Sequence, residues 1–383
     1  MAKLGEVCKV SASTKMIDKS KAWLLNLDMV EQQTGRVVEY NFVGEDGLNG
    51  SITQFDTENV LYSKLRPNLN KVVLPERDGF CTSELLPLRP DARKLDRSYL
   101  AVFLRSDGFV NWAVSKTAGA KMPRLGTKDL LNANIPLPEI KEQKAIAEKF
   151  KKSEELISLR KQQLVKMDEL VKARFFEMFG GISDNSMNWD CFTIGKLIST
   201  IESGWSGNGK QREKHADEIA VLKVSAVTKG YFIPTECKVL DDQHNIKKYV
   251  YPQKGDILFS RANTKEMVGA TVLIKKDYPD LILPDKLWKI RFCTDVNPIY
   301  MKHVLSTTTV RNAFSAASTG TSGSMYNVSM EKFKGVIIPV PPLSVQNEFA
   351  AFVERVDQQK QTVQQSLEKL ELMKKALMQE YFG

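Results

Sequence analysis

The stretch Ile135–Gly180 reads IPLPEIKEQKAIAEKFKKSEELISLRKQQLVKMDELVKARFFEMFG, and Ile338–Gly383 reads IPVPPLSVQNEFAAFVERVDQQKQTVQQSLEKLELMKKALMQEYFG. The two stretches align without a gap at an offset of 203 residues, and 13 of the 46 positions are identical. Both open with I-P-x-P, carry a glutamine five residues after the second proline, and close in Phe-Gly. Chance similarity between two charged helices does not account for matching ends over that length. The pattern therefore indicates an internal duplication.

Each copy predicts one long α-helix, at residues 139–180 and 343–383. No proline or glycine interrupts either segment between its opening prolines and its closing glycine, which is the usual punctuation of a helix. A helix of about 40 residues is roughly 60 Å long, whereas the usual helix has about a dozen residues. Such a helix exposes an apolar stripe along its length, so we expect it to need a partner.

Heptad repeats in the two helices predict how they pack. The clean apolar row lies at position a in the first helix and at position d in the second, so antiparallel pairing sets apolar residues together, whereas in-register parallel pairing sets charges against them. A pseudo-twofold axis would then pass between Gln162 and Gln365. Separate dimerisation of each helix with another chain is the alternative. The predicted pairs are Phe150 with Leu377, Ile157 with Leu370, Leu164 with Val363, Val171 with Val356, and Met178 with Phe349.

The remaining segments predict two globular domains, 1–138 and 181–342. Short apolar runs bounded by Gly, Asp and Pro read as strands, among them VLYSKL, KVVLPE, AVLKVSAV, GDILFSR, GATVLI, LWKIRF and GVIIPVP. Tyr99–Leu104 and Pro298–Thr308 read as helices. The predicted fold class is mixed α/β, with two globular domains separated by two long helices that pack as an antiparallel coiled coil.

Composition excludes several classes of protein. The 383 residues are 42% hydrophobic, which excludes global disorder. Five scattered cysteines without a CxxC pair, and only three histidines, argue against a disulfide framework, a zinc cluster and histidine catalysis. The N-terminal segment lacks the apolar core of a signal peptide, and no run approaches the roughly 20 apolar residues of a membrane span. We therefore expect a soluble protein of the cytoplasm.

The basic excess lies in the globular domains. The formal net charge is +9, yet the two long helices together hold 15 basic and 14 acidic residues. Basic globular domains joined by a nearly neutral spacer fit a polyanionic partner such as nucleic acid.

One stretch resembles a nucleotide-binding motif. Gly204–Lys210 matches the spacing G-x-x-x-x-G-K, but Gln211 stands where a Ser or Thr hydroxyl should bind magnesium, and the flanking segments are polar. A surface loop is the preferred interpretation, and an enzyme that uses this loop is the alternative. Asp285 follows a proline, as in some nucleases, but its surroundings read as a strand. We identify no catalytic site and no metal site.

Loops that mix basic, amide and aromatic side chains are the candidate contacts to DNA. Arginine pairs with guanine, Asn and Gln pair with adenine, and lysine contacts mainly phosphate. For any single residue, ordinary solvated surface is an equal alternative. The candidates are Lys64, Arg66, Asn68, Lys121 and Arg124 in the first domain, and Ser203, Trp205, Lys210, Gln211, Arg261, Asn263, Lys265, Ser322, Ser324, Tyr326 and Asn327 in the second.

The whole pattern resembles the specificity subunit of a type I restriction–modification system. The resemblance covers nearly the whole chain and rests on IPLPEIKEQKAIAEKF, IPVPPLSVQNEFAAFV, GDILFSR, STGTSGSMYN and KTAGAKMPRLGTKDL. The first domain departs from the pattern, because Asn59–Lys64 reads NVLYSK where the second domain has DILFSR. This departure makes its contact residues harder to assign.

The resemblance implies a non-catalytic subunit that recognises double-stranded DNA. Each target-recognition domain would read one half of a bipartite, asymmetric sequence, and the helices would set the gap and dock two methyltransferase subunits. Restriction subunits would join the full complex, and S-adenosylmethionine, ATP and magnesium would belong to those partners. A coiled-coil protein-binding scaffold that does not read DNA is the alternative.

Overall fold

The computed structural model describes residues 1–18, 22–44, 47–48, 50–119, 121–215, 218–320 and 326–383. The chain divides into two compact units. The first unit comprises Met1–Gln163 and Val363–Gly383, and the second comprises Leu164–Thr362. Each unit therefore contains one globular part together with one half of each long helix.

Both predicted long helices are confirmed, and each has 40 residues. They lack internal proline and glycine, and each begins directly after a proline-rich turn. The helices in chain order are α1 (Leu4–Val7), α2 (Arg97–Leu104), α3 (Asp107–Ser115), α4 (Thr127–Leu131), α5 (Ile140–Phe179), α6 (Ile194–Leu197), α7 (Pro298–Ser306), α8 (Thr308–Ala317), α9 (Met330–Gly335) and α10 (Leu343–Phe382).

The first unit contains a four-stranded sheet, a three-stranded sheet and a pair of short strands. The strands are β1 (Ala2–Lys3), β2 (Cys8–Val10), β3 (Leu24–Leu25), β4 (Ile52–Phe55), β5 (Val60–Ser63), β6 (Val72–Val73), β7 (Gly79–Thr82), β8 (Leu85–Pro90) and β9 (Asn134–Ile135). Their orders are β2-β8-β5-β6, β3-β7-β4 and β1-β9. Only β3 and β7 pair in parallel among these described strands.

The second unit repeats this topology with additions. Its strands are β10 (Cys191–Thr193), β11 (Ile198–Ser203), β12 (Gly209–Lys210), β13 (Ala220–Leu222), β14 (Cys237–Leu240), β15 (Ile257–Ser260), β16 (Ala262–Asn263), β17 (Thr271–Leu273), β18 (Leu281–Ile282), β19 (Leu287–Phe292), β20 (Thr319–Gly320), β21 (Tyr326–Asn327) and β22 (Ile337–Pro339). Their orders are β11-β19-β15-β17, β12-β14-β13-β18, β16-β21-β20 and β10-β22.

The strand orders extend the duplication from the helices to the globular parts. The order β2-β8-β5-β6 corresponds to β11-β19-β15-β17, and the pair β1-β9 corresponds to β10-β22. The predicted mixed α/β class is confirmed. One predicted strand differs: in AVLKVSAV only Ala220–Leu222 is extended, and Val224–Val227 forms a 3₁₀ turn. Short apolar runs read alike for a strand and a buried turn, and here the backbone N–H of Ala226 bonds to the carbonyl of Lys223 and closes the turn that ends the strand.

Aromatic side chains tie the long helices into the core of each unit. In the second unit, Phe179 near the end of α5 lies 4.8 Å from Tyr300 and 5.3 Å from Phe349, measured between ring centroids. In the first unit, Phe382 at the end of α10 lies 5.3 Å from Tyr99 in the same way. Packing of these aromatic rings stabilises the helices more than their intrinsic helix propensity does.

Within each unit, the α5 and α10 segments run antiparallel. In the first unit Lys374 pairs with Glu154 at 2.7 Å, and Lys149 donates a hydrogen bond of 2.8 Å to the hydroxyl of Tyr381. In the second unit, ion pairs that also fit antiparallel helices join Lys360 to Asp168 and Arg174 to Glu348. Lysines that occupy core heptad positions thus reach outward to carboxylates.

The ten residues predicted to pair along the helices are all buried or half-buried. In the second unit Val171, Met178, Phe349 and Val356 belong to one apolar cluster. Phe150 and Leu377 share the cluster of the first unit. A single continuous coiled coil with a pseudo-twofold axis remains a prediction.

Three further features concern the described part of the chain. None of its helices combines the length and the hydropathy that a bilayer span needs. It holds no group of three or more His, Cys, Asp or Glu side chains placed to share a metal ion. The five cysteines are free thiols, and burial raises the pKa of Cys8 and of Cys81 to about 12.

Candidate nucleic-acid interface

In the first unit the structure brings the two candidate segments together. The backbone N–H of Arg66 bonds to the carbonyl of Pro123 at 2.8 Å, and that of Leu125 bonds to Lys64 at 2.9 Å. The side chains of Arg66, Asn68, Lys121 and Arg124 are exposed, and Lys64 is half-buried. The loop after β5 and the segment before α4 therefore form one basic surface, which we call the first loop cluster (residues 64–68 and 121–124).

An acid neighbours this first loop cluster. Glu84 accepts two hydrogen bonds from the guanidinium of Arg124, at 2.9 and 3.2 Å, and its backbone carbonyl accepts from the N–H of Lys64. The bonded Arg124 lowers the pKa of Glu84. Arg124 is therefore held in a fixed orientation by a bidentate pair, rather than being free in solvent.

Strand pairing joins two candidate segments in the second unit. Arg261 follows β15, and the next two residues form β16, which pairs with β21 so that Asn263 faces Tyr326 and Ala262 faces Asn327. The carbonyl of Arg261 also accepts from the N–H of Val328 at 2.9 Å. Arg261, Asn263, Tyr326 and Asn327 are half-buried. We call residues 261–263 and 326–327 the second loop cluster.

Asp285 links the glycine-rich loop to this second loop cluster. Its backbone carbonyl accepts a 3.0 Å hydrogen bond from Nε of Arg261, and its carboxylate accepts one from the hydroxyl of Ser206. A Cβ at Gly204 would lie 1.8 Å from the carbonyl oxygen of Leu283, so only glycine permits this close approach. The aspartate that the sequence suggested as a strand residue thus orders two loops.

Other candidates lie apart from the second loop cluster. Lys210 lies on β12, which pairs with β14, and the amide of Gln211 accepts from Lys223 at 3.2 Å. Trp205 is half-buried against the apolar cluster that contains Leu240 and Ile282. No hydrogen bond joins Lys210 or Gln211 to Arg261 in the described part of the chain.

Two more candidates have other surroundings. Lys265 is exposed, and its backbone carbonyl accepts from the hydroxyl of Ser315 on α8 at 2.9 Å. Ser203 ends β11 opposite Trp288 of β19. Ser322 and Ser324 lie outside the residues that the structure describes.

One basic and aromatic segment was missed in the sequence. Lys247, Lys248 and Tyr249 are all exposed, and the ammonium of Lys248 donates a 2.6 Å hydrogen bond to the carbonyl of Ser203. This bond places the segment beside the glycine-rich loop. The run Ile246–Tyr251 combines two lysines with two tyrosines, which is the signal that could have identified it.

Buried aspartates support the strands that lead to both loop clusters. Asp256 is fully buried before β15 and pairs with Arg291 at 2.6 Å and Lys289 at 3.3 Å. Asp56, before β5, pairs with Arg89 and accepts from the hydroxyl of Ser13. Burial opposes ionisation of Asp56, but these hydrogen bonds outweigh it and lower its pKa. Each loop cluster therefore starts from a rigid strand.

The two loop clusters have the same backbone frame and different chemistry. The N–H of Lys64 donates to the carbonyl of Glu84, and the N–H of Arg261 donates in the same way to the carbonyl of Lys286. The acidic Glu84 and the basic Lys286 therefore occupy corresponding places.

Comparison with known proteins agrees with this arrangement. Residues 1–168 and 188–372 each match the Type I restriction modification DNA specificity domain. The two matches cover most of the chain and correspond to its two repeats. The chain belongs to this family.

Curated relatives in the family share modest identity with the chain. It is 26% identical over 283 residues to the EcoKI specificity subunit of Escherichia coli strain K12, covering 70% of this chain and 60% of that protein. It is 31% identical over 117 residues to the Escherichia coli EcoDI specificity subunit, covering 30% of this chain and 26% of the relative. The matches thus span less than two thirds of the length of these relatives.

Solved structures with low identity share the fold of the chain. A chain from work on complex assembly and conformational transition of the type I R-M system superposes with a TM-score of 0.59 and 19% identity. The specificity subunit from M. genitalium superposes with a TM-score of 0.60 and 12% identity. Both alignments cover all of this chain and at least 95% of the other. They show that this chain shares its fold with these two structures.

Proposed function

We propose that this chain is the cytoplasmic, sequence-specific DNA-recognition subunit of a type I restriction–modification complex. Its globular domains, 1–138 and 181–342, each read one half of a bipartite, asymmetric target. The spacer helices, 139–180 and 343–383, set the gap between the half-sites. The chain performs no catalysis itself.

One observation carries this proposal. Two loop clusters occupy corresponding places at the ends of β5 and β15, on the same hydrogen-bonded frame, but present different side chains. A duplicated reader with diverged loops suits an asymmetric sequence, because each copy contacts different base edges. A scaffold that only bound protein would have no need of two loop clusters that carry arginine and amide side chains at the ends of rigid strands.

The helices support the rest of the proposal. Antiparallel contacts within both units agree with a continuous antiparallel coiled coil whose pseudo-twofold axis passes between Gln162 and Gln365. Apolar side chains on the long helices remain accessible, which suits the docking of two methyltransferase subunits. These exposed residues are Leu156, Leu159, Val165, Leu170, Phe176, Leu372 and Met373.

The partners supply the chemistry in this proposal. Methyltransferase subunits would bind S-adenosylmethionine, and restriction subunits that join them would bind ATP and magnesium. This chain would contribute double-stranded DNA recognition and the fixed separation of the half-sites.

A half-site binding assay tests the proposal. With methyltransferase subunits present, Arg261→Ala should weaken binding about tenfold or more when the second half-site is intact, since one good arginine–guanine contact contributes roughly 1–3 kcal/mol. It should not change discrimination at the first half-site. Arg66→Ala should produce the reciprocal pattern.

Lys254→Ala is the matched control, because Lys254 is exposed at the opposite end of β15 from Arg261. It should leave both half-sites unchanged. Wild-type DNA affinity that does not fall with rising salt would contradict direct DNA contact and favour the protein-binding scaffold.

A further inference from the structure

A buried glutamine fixes the start of α5 to the globular part of the first unit. Gln143 is fully buried, and its side-chain oxygen accepts a 2.9 Å hydrogen bond from the backbone N–H of Asp96. Its side-chain nitrogen donates to the carbonyls of Lys94 and Pro138, at 2.9 and 2.8 Å. Asp96 is the N-cap of α2. One carboxamide therefore joins α2, the loop before it and the proline turn that precedes α5.

The second unit repeats this arrangement group by group. Gln346 is fully buried, accepts from the N–H of Asn297 at 2.8 Å, and donates to the carbonyls of Pro341 and Asp295 at 2.8 and 3.5 Å. Asn297 is the N-cap of α7. These two glutamines are the repeated residues that follow the I-P-x-P motif, so the motif and its glutamine form one junction.

Further contacts attach the same elements at separate points. The hydroxyl of Tyr300 donates to the carbonyl of Pro339 at 2.7 Å, as Tyr99 does to Pro136 at 3.0 Å. In the second unit, Asp357 on α10 pairs with Lys275 of the globular part at 2.6 Å. Asp357 lies eleven residues after Gln346, roughly 16 Å farther along the helix.

The repeat equivalent of Asp357, which is Glu154, makes a similar contact in the first unit. Glu154 lies 3.7 Å from the guanidinium of Arg105, and it stands eleven residues after Gln143. Attachment at two separated points fixes an orientation, whereas attachment at one point allows rotation. The carboxamide attaches the globular part at the start of the long helix. Displacement grows with distance from that junction, so a small change in the angle there moves a distant loop the most.

We infer that Gln143 and Gln346 are positioning residues that set the angle of each recognition domain on its spacer helix, and through that angle the gap that the protein accepts between half-sites. This inference rests on the proposed function. It assigns a role in gap selection to residues that touch no DNA. Leucine at either position keeps the volume but leaves an N–H and two carbonyls without the partner that the carboxamide supplies.

The first test measures the gap profile. Methylation by the complex is compared on targets with the native half-sites and gaps of the native length and one base pair shorter or longer. Gln346→Leu should reduce the preference for the native gap at least about threefold, because misorientation by even 1 Å slows reaction strongly. Gln361→Leu, an exposed glutamine of the same helix, should retain the wild-type profile. An equal loss at every gap length would overturn the inference.

The second test does not depend on DNA. Spin labels at the exposed positions 231 and 359 of the second unit, in full-length protein with Cys191, Cys237 and Cys293 replaced by serine, report the angle between the globular part and α10. The distance distribution should be narrow in the parent protein and broader in Gln346→Leu. An unchanged distribution would overturn the inference.

A shorter amide provides the second variant. If Gln346→Leu does not fold, Gln346→Asn keeps the carboxamide but cannot reach all three backbone groups, and it must give the same broadening. If the wild-type complex shows no gap preference, the proposed function fails instead, and the spin-label result still decides whether the glutamine fixes the angle.

Discussion

Asp256 shows how a single buried charge supports a loop at the surface. Its carboxylate is fully buried, and it is paired with Arg291 and with the largely buried Lys289. It also accepts a 2.7 Å hydrogen bond from the backbone N–H of Gln253. Removing its charge leaves the buried ammonium without a counter-ion, which is the costly way to disrupt a buried ion pair.

Asp256→Asn should therefore lower the free energy of unfolding by about 2–4 kcal/mol. Chemical denaturation of the full-length protein measures this change. Asp190→Asn replaces an exposed aspartate of the same unit and should change it by less than about 0.5 kcal/mol. Equal effects of the two substitutions would contradict the role assigned to the buried pair.

His303 gives the second unit a pH dependence. Its ring lies 5.2 Å from that of Phe349 and 6.2 Å from that of Phe175, measured between centroids. Burial, and then the neighbouring charge of Lys302, lower the pKa of His303 to about 3. The folded state thus prefers the neutral ring, so the stability it contributes is present above the unfolded pKa of about 6.5 and is lost as the pH falls.

Between pH 7 and pH 5, most carboxylates stay ionised, so the histidine contribution can be isolated. The free energy of unfolding of the wild type should fall by about 1–2 kcal/mol more than that of His303→Phe over this interval. His244→Gln, at an exposed site, should keep the wild-type pH dependence. A His303→Phe variant with the same slope as the wild type would show that this ring is not held neutral.

At the scale of the elements, the long helices carry a direct prediction. Phe150 of α5 and Leu377 of α10 are a predicted core pair, and both belong to the apolar cluster of the first unit. Cysteines at these two positions should form a disulfide within one chain on mild oxidation, and SDS gels of the monomer reveal it. This result is expected because facing core positions of paired helices bring the Cα atoms close to the span of a disulfide.

A mismatched pair provides the control for this crosslink. Cysteines at 150 and 368 are displaced from the paired register by about nine residues, or roughly 13 Å along the axis, and should not crosslink. Crosslinks that form only between chains would favour the alternative in which each helix dimerises separately.

The elements also show which parts of the fold can be read from sequence. The long helices were predictable because the absence of proline and glycine and the heptad spacing are local properties. Strand β15 was predictable for the same reason, since GDILFSR is a short apolar run with clear boundaries. The extended part of AVLKVSAV was overestimated, because a turn bond from the N–H of Ala226 to the carbonyl of Lys223 ends that strand, and a short apolar run does not reveal such a turn.

The candidate site was less predictable than the fold. The pairing of residues 261–263 with 326–327 depends on contacts across more than 60 residues, and no local pattern encodes it. The sequence around Asp285 predicted a strand. In the structure, Asp285 accepts hydrogen bonds from Ser206 and Arg261, which lie far from it in the sequence. The repeated glutamines were visible as a motif, but only the burial of their side chains indicated what they bind.

At the scale of the whole molecule, the length of the helices should determine the gap. Deleting residues 157–163 and 364–370 removes one heptad from each helix and preserves the predicted pairing. Each deletion shortens its helix by about 10 Å, equivalent to about three base pairs of DNA. The preferred gap should shorten by about two to three base pairs while the half-site sequences stay the same. A changed half-site sequence in the methylation profile of this variant would contradict the separation of reading from spacing.

The central claim is that this one chain selects a bipartite DNA sequence for its complex. Genome-wide mapping of adenine methylation, with and without the gene for this chain, tests it most directly. The account predicts that its loss abolishes methylation at one bipartite, asymmetric motif, and that restoring the chain restores the motif. Methylation that is unchanged at every motif, while the partner methyltransferase subunits are active, would contradict it.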